Sequence, residues 1–243
     1  FVWFAIGPLL PEIQNDLDLT NSDIWTSSIA GVGSTIVDRF ILGPLCDKYG
    51  ARILYLVILC SASIPTACTG FINSATSLVI VRLCIGVAGG TFVMCEYWSS
   101  MMFAKEIVGT ANAIVAGWGN LGAGVTNLIM GSILYPLFIL IFNGDREAAW
   151  RTVCIVPAVV AFATGIIVYR ISDDSPKGNF SDLKRHGAMK DVSAIKTFLH
   201  GCWNINTWLL FIQYATCFGV ELTMNNAAAM YFRDEFALTT ESA

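Results

Sequence analysis

The stretch Gly43-Pro44-Leu45-Cys46-Asp47-Lys48-Tyr49-Gly50-Ala51-Arg52 places an acid, two cations and two glycines between two long apolar runs. So short a polar interval leaves room only for a tight reversal between two helices. Gly50 permits the reversal and Gly43 permits close helix approach, while Asp47 can sit at a helix N-terminus and pair with a cation. Outward from this turn lie Ile24 to Cys46 on one side and Ile53 to Ile72 on the other. Each is near the roughly 20 apolar residues that a helix needs to cross a hydrocarbon core of about 30 Å.

Five further runs of this kind follow from the same reading: Phe1 to Ile13, Leu78 to Phe103, Ile107 to Phe142 with a break near Tyr135-Pro136, Ala149 to Tyr169, and Trp208 to Phe232. Composition agrees, with 55% hydrophobic and 13% charged residues against about 25% charged in a soluble domain. A formal charge of -4 offers no basic surplus to release counterions from a nucleic acid, so nucleic-acid binding is excluded. Seven of the eight cysteines lie in or at the ends of apolar runs, only Cys202 is in a polar stretch, and there is no CxxC pair. They read as small packing residues, and neither disulfides, a metal nor a cofactor is expected. The chain opens at Phe1, already apolar, without Met or a basic n-region, and so reads as a fragment of a longer protein and not as a signal peptide.

Basic residues in the connections set the orientation. Lys48, Arg52, Lys105, Arg170, Lys177, Lys184, Arg185, Lys190 and Lys196 fall on one side; Arg146 and Arg151 alone fall on the other. The first side is therefore read as cytoplasmic. Six spans, a long polar cytoplasmic connection and a seventh span suggest two bundles of six joined by a linker, a parallel-repeat transporter layout. The expected divisions are 1–170 for the first bundle (spans one to six, the first truncated), 171–207 for the linker, and 208–243 for the start of the second bundle.

Arg39 is the most informative single residue, because a cation this deep in an apolar span costs at least about 2.5 to 3.5 kcal/mol unless it meets a cavity or a partner. Adjacent helical residues do not face one another, so a pair with Asp38 is the weaker reading and an anion site the stronger. Ala116-Gly117-Trp118-Gly119-Asn120-Leu121-Gly122-Ala123-Gly124 contains a G-x-G-x-x-G match, but neither a preceding strand nor a downstream acid of a dinucleotide site accompanies it. In a membrane, the small residues Ala113, Gly117, Gly124 and Gly131 allow another helix to approach, with Gly119 and Asn120 offering backbone and an amide in the gap. Glu96 and Glu221 are carboxylates within apolar spans and are candidate proton carriers, although a hydrogen bond between helices is the simpler role for Glu96. His186 and His200 read as solvated linker residues, and Trp25, Trp150, Trp203 and Trp208 as interface anchors near span ends.

These motifs resemble those of the nitrate/nitrite porter family of the major facilitator superfamily, especially the high-affinity nitrate transporters of plants, algae and fungi. Gly43 to Arg52 is similar to the superfamily's loop motif G-x-x-x-D-[RK]-x-G-x-[RK], and Arg82-Leu83-Cys84-Ile85-Gly86 adds a second such element. FAIGPLLPEIQNDLDLT, DRFILGPLCDKYGAR, FVMCEYWSSMMF, AGWGNLG, DDSPKGN and FGVELTMNN carry the closer resemblance across nearly the whole chain, with AGWGNLG similar to the nitrate signature. The resemblance implies an all-α polytopic membrane protein with the major facilitator fold, comprising the N-terminal six-helix bundle and the seventh helix. It implies that Arg39, Asn120, Gly119 and Phe92 bind substrate, that Gly43, Asp47, Lys48, Gly50 and Arg52 form a conformational loop motif, and that a second substrate arginine lies on the eighth helix, beyond Ala243. Ile36 departs from bacterial relatives that carry tyrosine there, and either Phe211 or Tyr214 supplies the seventh-span aromatic.

The function so implied is secondary transport of nitrate, with nitrite open, by alternating access in the plasma membrane. Protons are the coupling ion, the lipid bilayer is the medium, and a small accessory membrane protein is left open as a partner. The rival readings are a transporter for another small anion and a non-transporting sensor or partner subunit. An enzyme finds no support, since no Ser/His/Asp, Cys/His or metal-ligand set occurs within the spans. The topology is directly testable. A cysteine at Ser181 should resist an impermeant thiol reagent in intact cells and react after permeabilisation; labelling of intact cells reverses every loop assignment.

Overall fold

The computed structural model describes residues 1–187 and 193–236. Lys190 of the basic count and residues 237–243 of the expected second bundle lie outside these. Among the described residues the chain is helical, with no strand. A 3-10 turn at Gly7–Leu9 leads into α1 (Leu10–Asp16). Next come α2 (Asn21–Tyr49), α3 (Ala51–Ala67), α4 (Ala75–Gly86), α5 (Thr91–Met102) and α6 (Val108–Asn127). The chain continues through α7 (Tyr135–Ile141), α8 (Arg146–Val153), α9 (Ile155–Ile171), α10 (Phe180–Arg185), α11 (Ala194–Cys202) and α12 (Ile205–Phe236).

Local chemistry sets the boundaries. Asp23 N donates to Thr20 Oγ1 at 3.3 Å while Thr20 N donates to the Asp23 carboxylate at 3.0 Å, a reciprocal cap that starts α2. Ser74 and Ser77 form the same box for α4, and Asp145 Oδ1 accepts from Ala148 N to start α8. Gly50, with φ +86°, stands between α2 and α3 in a conformation that a side chain would strain.

Among the described residues, five helical stretches are long and apolar enough to cross a membrane: Asn21–Tyr49, Ala51–Phe71, Ala75–Met102, Val108–Ile141 and Arg146–Ile171. This differs from the seven runs of the sequence. The first run yields only a 3-10 turn and the seven-residue α1. The last forms the 32-residue α12, long enough but diluted by Gln213, Glu221, Asn225 and Asn226. The break near Tyr135-Pro136 is also resolved differently: Leu128–Leu134 widens into a π-helical segment and the helix continues as α7, with Pro136 in its first turn. Widening accommodates a residue that cannot donate and whose ring crowds the preceding turn, so the span bends its hydrogen-bond ladder without ending.

Packing is close where α2 crosses α4 and the 3-10 turn Val87–Gly90 that follows it, as it is between α3 and α9. A Cβ at Gly86 would collide with the Gly31 carbonyl and Ser34 Oγ, one at Gly89 would lie 2.5 Å from Thr35 Oγ1, and one at Gly90 would strike the Asp38 carboxylate. The small-residue face expected on α6 is not of this kind. Gly117, Gly119, Gly122 and Gly124 have nothing within 4 Å of an added Cβ, and only Gly131 meets a neighbour, Pro8, at 3.4 Å. Among the described residues, glycines from two helices oppose one another where α2 meets α4, at Gly31 and Gly86; elsewhere single glycines, such as Gly165 against Leu59, admit the close approach. Gly43, also expected at a close approach, faces open space.

At the end opposite the basic loops, Arg151 ties three segments together. Its Nη1 donates to the carbonyls of Gly70 and Ile72 at 2.8 and 2.9 Å, its Nε to Glu147 at 2.9 Å, and its Nη2 lies 3.7 Å from Asp16. Trp150 is not an interface anchor: it is 1% exposed, and its Nε1 donates to Asp16 at 3.2 Å. Trp25, Trp203 and Trp208 are exposed. Many large apolar side chains on the outer helix faces, among them Ile29, Ile64, Leu140 and Ile171, are exposed as well, as a lipid solvent requires. The crossing predicts unequal alanine substitutions. Gly86→Ala should lower the stability of the purified protein in detergent by about 1 to 3 kcal/mol through overpacking. Gly119→Ala should leave it unchanged or raise it by up to about 1 kcal/mol through helix propensity; thermal melting compares the two.

Candidate functional site

Arg39 lies on the α2 face that turns toward the Val87–Gly90 corner. There the Gly89 carbonyl accepts from its Nε and Nη2, each at 3.3 Å. The guanidinium is further held between two rings, its central carbon 5.3 Å from the centroid of Phe92 and 5.1 Å from that of Phe218. Two π systems thus lie within reach of the planar cation, a contact worth about 0.5 to 2 kcal/mol per ring depending on desolvation. Tyr214 stacks on Phe218 at 5.2 Å and on Phe92 at 5.9 Å, and its hydroxyl faces the guanidinium. No ion pair joins Arg39 to Asp38 among the described residues: Asp38 Oδ2 is buried without a hydrogen bond, on the side of Gly90.

These groups open onto a cavity of about 320 Å³. Arg39, Gly89, Phe92, Glu96, Ala116, Gly119, Asn120, Gly122 and Phe218 line it, together with Tyr55, Cys95, Thr91, Thr164 and residues 1–4. Helical spacing explains the selection. Ala116, Gly119 and Asn120 stand at i, i+3 and i+4 on one face of α6, whereas Gly117 is not in the wall and Trp118, 71% exposed, faces outward. Likewise Phe92 and Glu96 are one turn apart on α5, and Tyr214, Phe218 and Glu221 follow one face of α12. The absence of side chains at Gly119 and Gly122 keeps this wall open.

The two carboxylates differ. Glu96 was expected to bond between helices, yet its Oε1 is buried without a hydrogen-bond partner among the described residues. Glu221 Oε2 instead accepts from Asn120 Nδ2 at 3.3 Å, joining α12 to α6. Of the two seventh-span aromatics left open by the sequence, the structure brings Tyr214 to Arg39 and leaves Phe211 exposed beside Trp208. Sequence reasoning missed Phe218 as a ring over Arg39 and the Gly89 carbonyl as its acceptor. The i, i+4, i+7 spacing of Tyr214, Phe218 and Glu221 was the available signal for the first; a backbone carbonyl leaves none.

The loop motif is built separately, away from the cavity. Asp47 does not take a cation at a helix start: it is near the C-terminal end of α2, where the Tyr97 hydroxyl donates to it. Asp174, from the segment after α9, occupies that place. Its Oδ1 accepts from Arg52 N at 2.9 Å, beside Gly50, and its Oδ2 accepts from Phe180 N at 3.1 Å. Arg52 lies over Tyr169 at 4.4 Å and 3.9 Å from Asp173, and Lys184 Nζ donates to the Lys48 carbonyl at 2.6 Å. With Phe180 1% exposed, the first part of the expected linker is a clasp on the α2–α3 turn.

A bundle of long apolar helices with arginines in its interior, Arg39 and Arg82, and a charged reversal closing one end defines an integral membrane protein. The chain belongs to the major facilitator superfamily, whose family profile matches residues 1–243. It is 35% identical over 99% of its length to "High affinity nitrate transporter 2.5" of Arabidopsis thaliana, covering 47% of that protein. It is 33% identical to "Nitrate transporter 2.1" of Chlamydomonas reinhardtii, over 97% of this chain and 43% of that one. With "Nitrate/nitrite transporter NrtP" of Nostoc punctiforme it shares 30% identity over 81% of the chain and 39% of the relative. The resemblance to nitrate/nitrite porters is thereby borne out, and the chain spans about half the length of these relatives. For the clasp, Asp174→Ala should lower stability by about 1 to 2 kcal/mol, the range of a lost N-cap. It should also speed tryptic cleavage after Lys177, Lys184 and Arg185, read by limited proteolysis; an unchanged digestion rate leaves Asp174 no role in holding the segment.

Proposed function

We propose that the protein is a secondary active transporter of nitrate or nitrite, working by alternating access in the plasma membrane and driven by protons. In this reading residues 1–170 form the first bundle, 171–207 the cytoplasmic linker and 208–243 the start of the second bundle, and the protein carries out no catalysis. The observation that supports it most is the fixed guanidinium of Arg39, lodged between Phe92 and Phe218 in a cavity wall that also carries Asn120. Two donors of the fork bond the Gly89 carbonyl and orient its plane; the remaining edge and the Asn120 amide meet a small anion from two sides. A planar, monovalent, weakly hydrated anion suits such a site. Its oxygens accept in one plane, matching parallel guanidinium donors, and aromatic walls cost it little further water. Glu96 and Glu221, beside the same cavity, are the carboxylates available for the coupling proton. The names of the relatives favour nitrate over other anions of this shape.

Arg39→Lys in the intact protein tests the reading. Lysine keeps the charge but replaces the fork by a point donor on a flexible stem. Loss of one charge-assisted hydrogen bond costs about 1.5 to 3 kcal/mol, so the apparent nitrate constant should rise roughly ten- to hundredfold at equal surface expression. Arg39→Ala should be worse, since it also removes the charge. Labelled nitrate uptake measures both, and competition by unlabelled anions separates nitrate from its rivals. Wild-type uptake indifferent to excess nitrate, or near-normal uptake by Arg39→Lys, overturns the assignment.

A further inference from the structure

We infer that Glu221 carries the coupling proton and that Asn120 is the switch linking it to the anion: the ionised carboxylate holds the Asn120 amide, and protonation releases that amide to the substrate. This inference rests on the reading of the cavity as a proton-driven anion site and names the group through which the two ligands communicate. Its basis is the bond from Asn120 Nδ2 to Glu221 Oε2 at 3.3 Å, beside a cavity that Asn120 itself lines.

An ionised carboxylate is an acceptor only, whereas a protonated one carries a donor and has less need of the amide. Nitrate oxygens are acceptors too, so Glu221 and the anion compete for the Asn120 amide. They also carry like charges on the same cavity flank. Both terms have the same sign: each makes anion binding weaker while Glu221 is ionised and stronger once Oε2 has taken a proton. Linkage then requires the converse, that bound anion favours the proton on Glu221. Proton and anion load together without touching one another.

The other titratable and charged groups at the cavity are Arg39 on α2, Tyr55 on α3, Cys95 and Glu96 on α5, Tyr214 on α12, and the amino group of Phe1. Glu96 is the rival carrier, since it lines the cavity directly. Its carboxylate holds no donor that the anion also needs: Oε1 has no hydrogen-bond partner among the described residues. Protonating Glu96 alters the field in the cavity but frees nothing. Glu221 differs further in that its bond crosses from α6 to α12, so the proton that admits the anion also unties two helices.

Nitrate titrations of the purified full-length protein by isothermal calorimetry across a pH series test the inference, together with uptake into proteoliposomes. Wild-type affinity should fall by up to about tenfold per pH unit above the titration of the carrier, the slope of one linked proton. Glu221→Gln, a permanent mimic of the protonated side chain, should flatten that slope. It should also lose accumulation driven by an inward proton gradient while still exchanging nitrate for nitrate. Glu96→Gln should keep the slope. Should Glu221→Gln fail to fold, Glu221→Asp serves: its shorter carboxylate withdraws from Asn120, so the pH slope should become shallower, with only the like-charge contribution left. A wild-type slope in Glu221→Gln, a slope abolished by Glu96→Gln alone, or an Asp variant indistinguishable from wild type overturns the inference. Wild-type protein that binds nitrate without pH dependence overturns it too but leaves the anion site standing. Wild-type protein that binds no nitrate removes the site itself, and the inference with it.

Discussion

A guanidinium inside an apolar helix bundle must be solvated by the protein, and the architecture around Arg39 follows from that demand. The Gly89 carbonyl supplies an acceptor, and Phe92 and Phe218 supply π systems beside the cation. Each provision has its own structural condition. For a backbone carbonyl to reach a side chain of α2, the Val87–Gly90 corner must lie against that helix, which only glycines at 86, 89 and 90 allow. For a ring of α12 to reach the cation, α12 must lie against the first bundle. The site is therefore a consequence of how the helices cross as much as of which residues they carry.

Charges at the two ends hold this arrangement in register. Arg151 gathers Asp16, Glu147 and the carbonyls after α3 into one knot, while Asp174 caps α3 and draws the segment after α9 onto the α2–α3 turn. Both devices satisfy backbone groups where helices end, at the water interface, and leave to the interior two deep cations, Arg39 and Arg82, the latter donating to Ser28 Oγ at 3.0 Å. That division matches the energetics of a bilayer, in which polar groups are tolerated at the rims and in cavities but not against lipid.

The glycine-rich signature of α6 has a different meaning from the glycines of α2 and α4. Where glycines of two helices oppose one another, they permit contact. On α6 their missing side chains meet nothing, and they open a wall through which Asn120 reaches both the cavity and Glu221. The same residue type thus packs one helix pair and hollows out the space beside another.

Much of this was legible in the sequence because period and composition act locally. Apolar runs of span length, the charged reversal at Gly43 to Arg52, the deep Arg39, and Gly119 and Asn120 as the groups offered beside it all follow from spacing along one helix, whereas the packing face expected from Ala113, Gly117, Gly124 and Gly131 did not hold. What the sequence did not determine were the meetings between helices: Tyr214 over Phe211 at the arginine, Phe218 as its second ring, Asp174 in the place expected for Asp47, Trp150 in the core, and Glu221 on Asn120. Among the described residues the first and last apolar runs do not join both length and apolar content: the first forms a short helix, and the last a 32-residue helix diluted by polar residues. Sequence alone determined which chemistry each helix can present, since side-chain type and helical period are properties of a single segment. Only the tertiary structure decided which groups meet, because the glycine crossings and terminal charge knots that set helix register act between residues far apart in the chain.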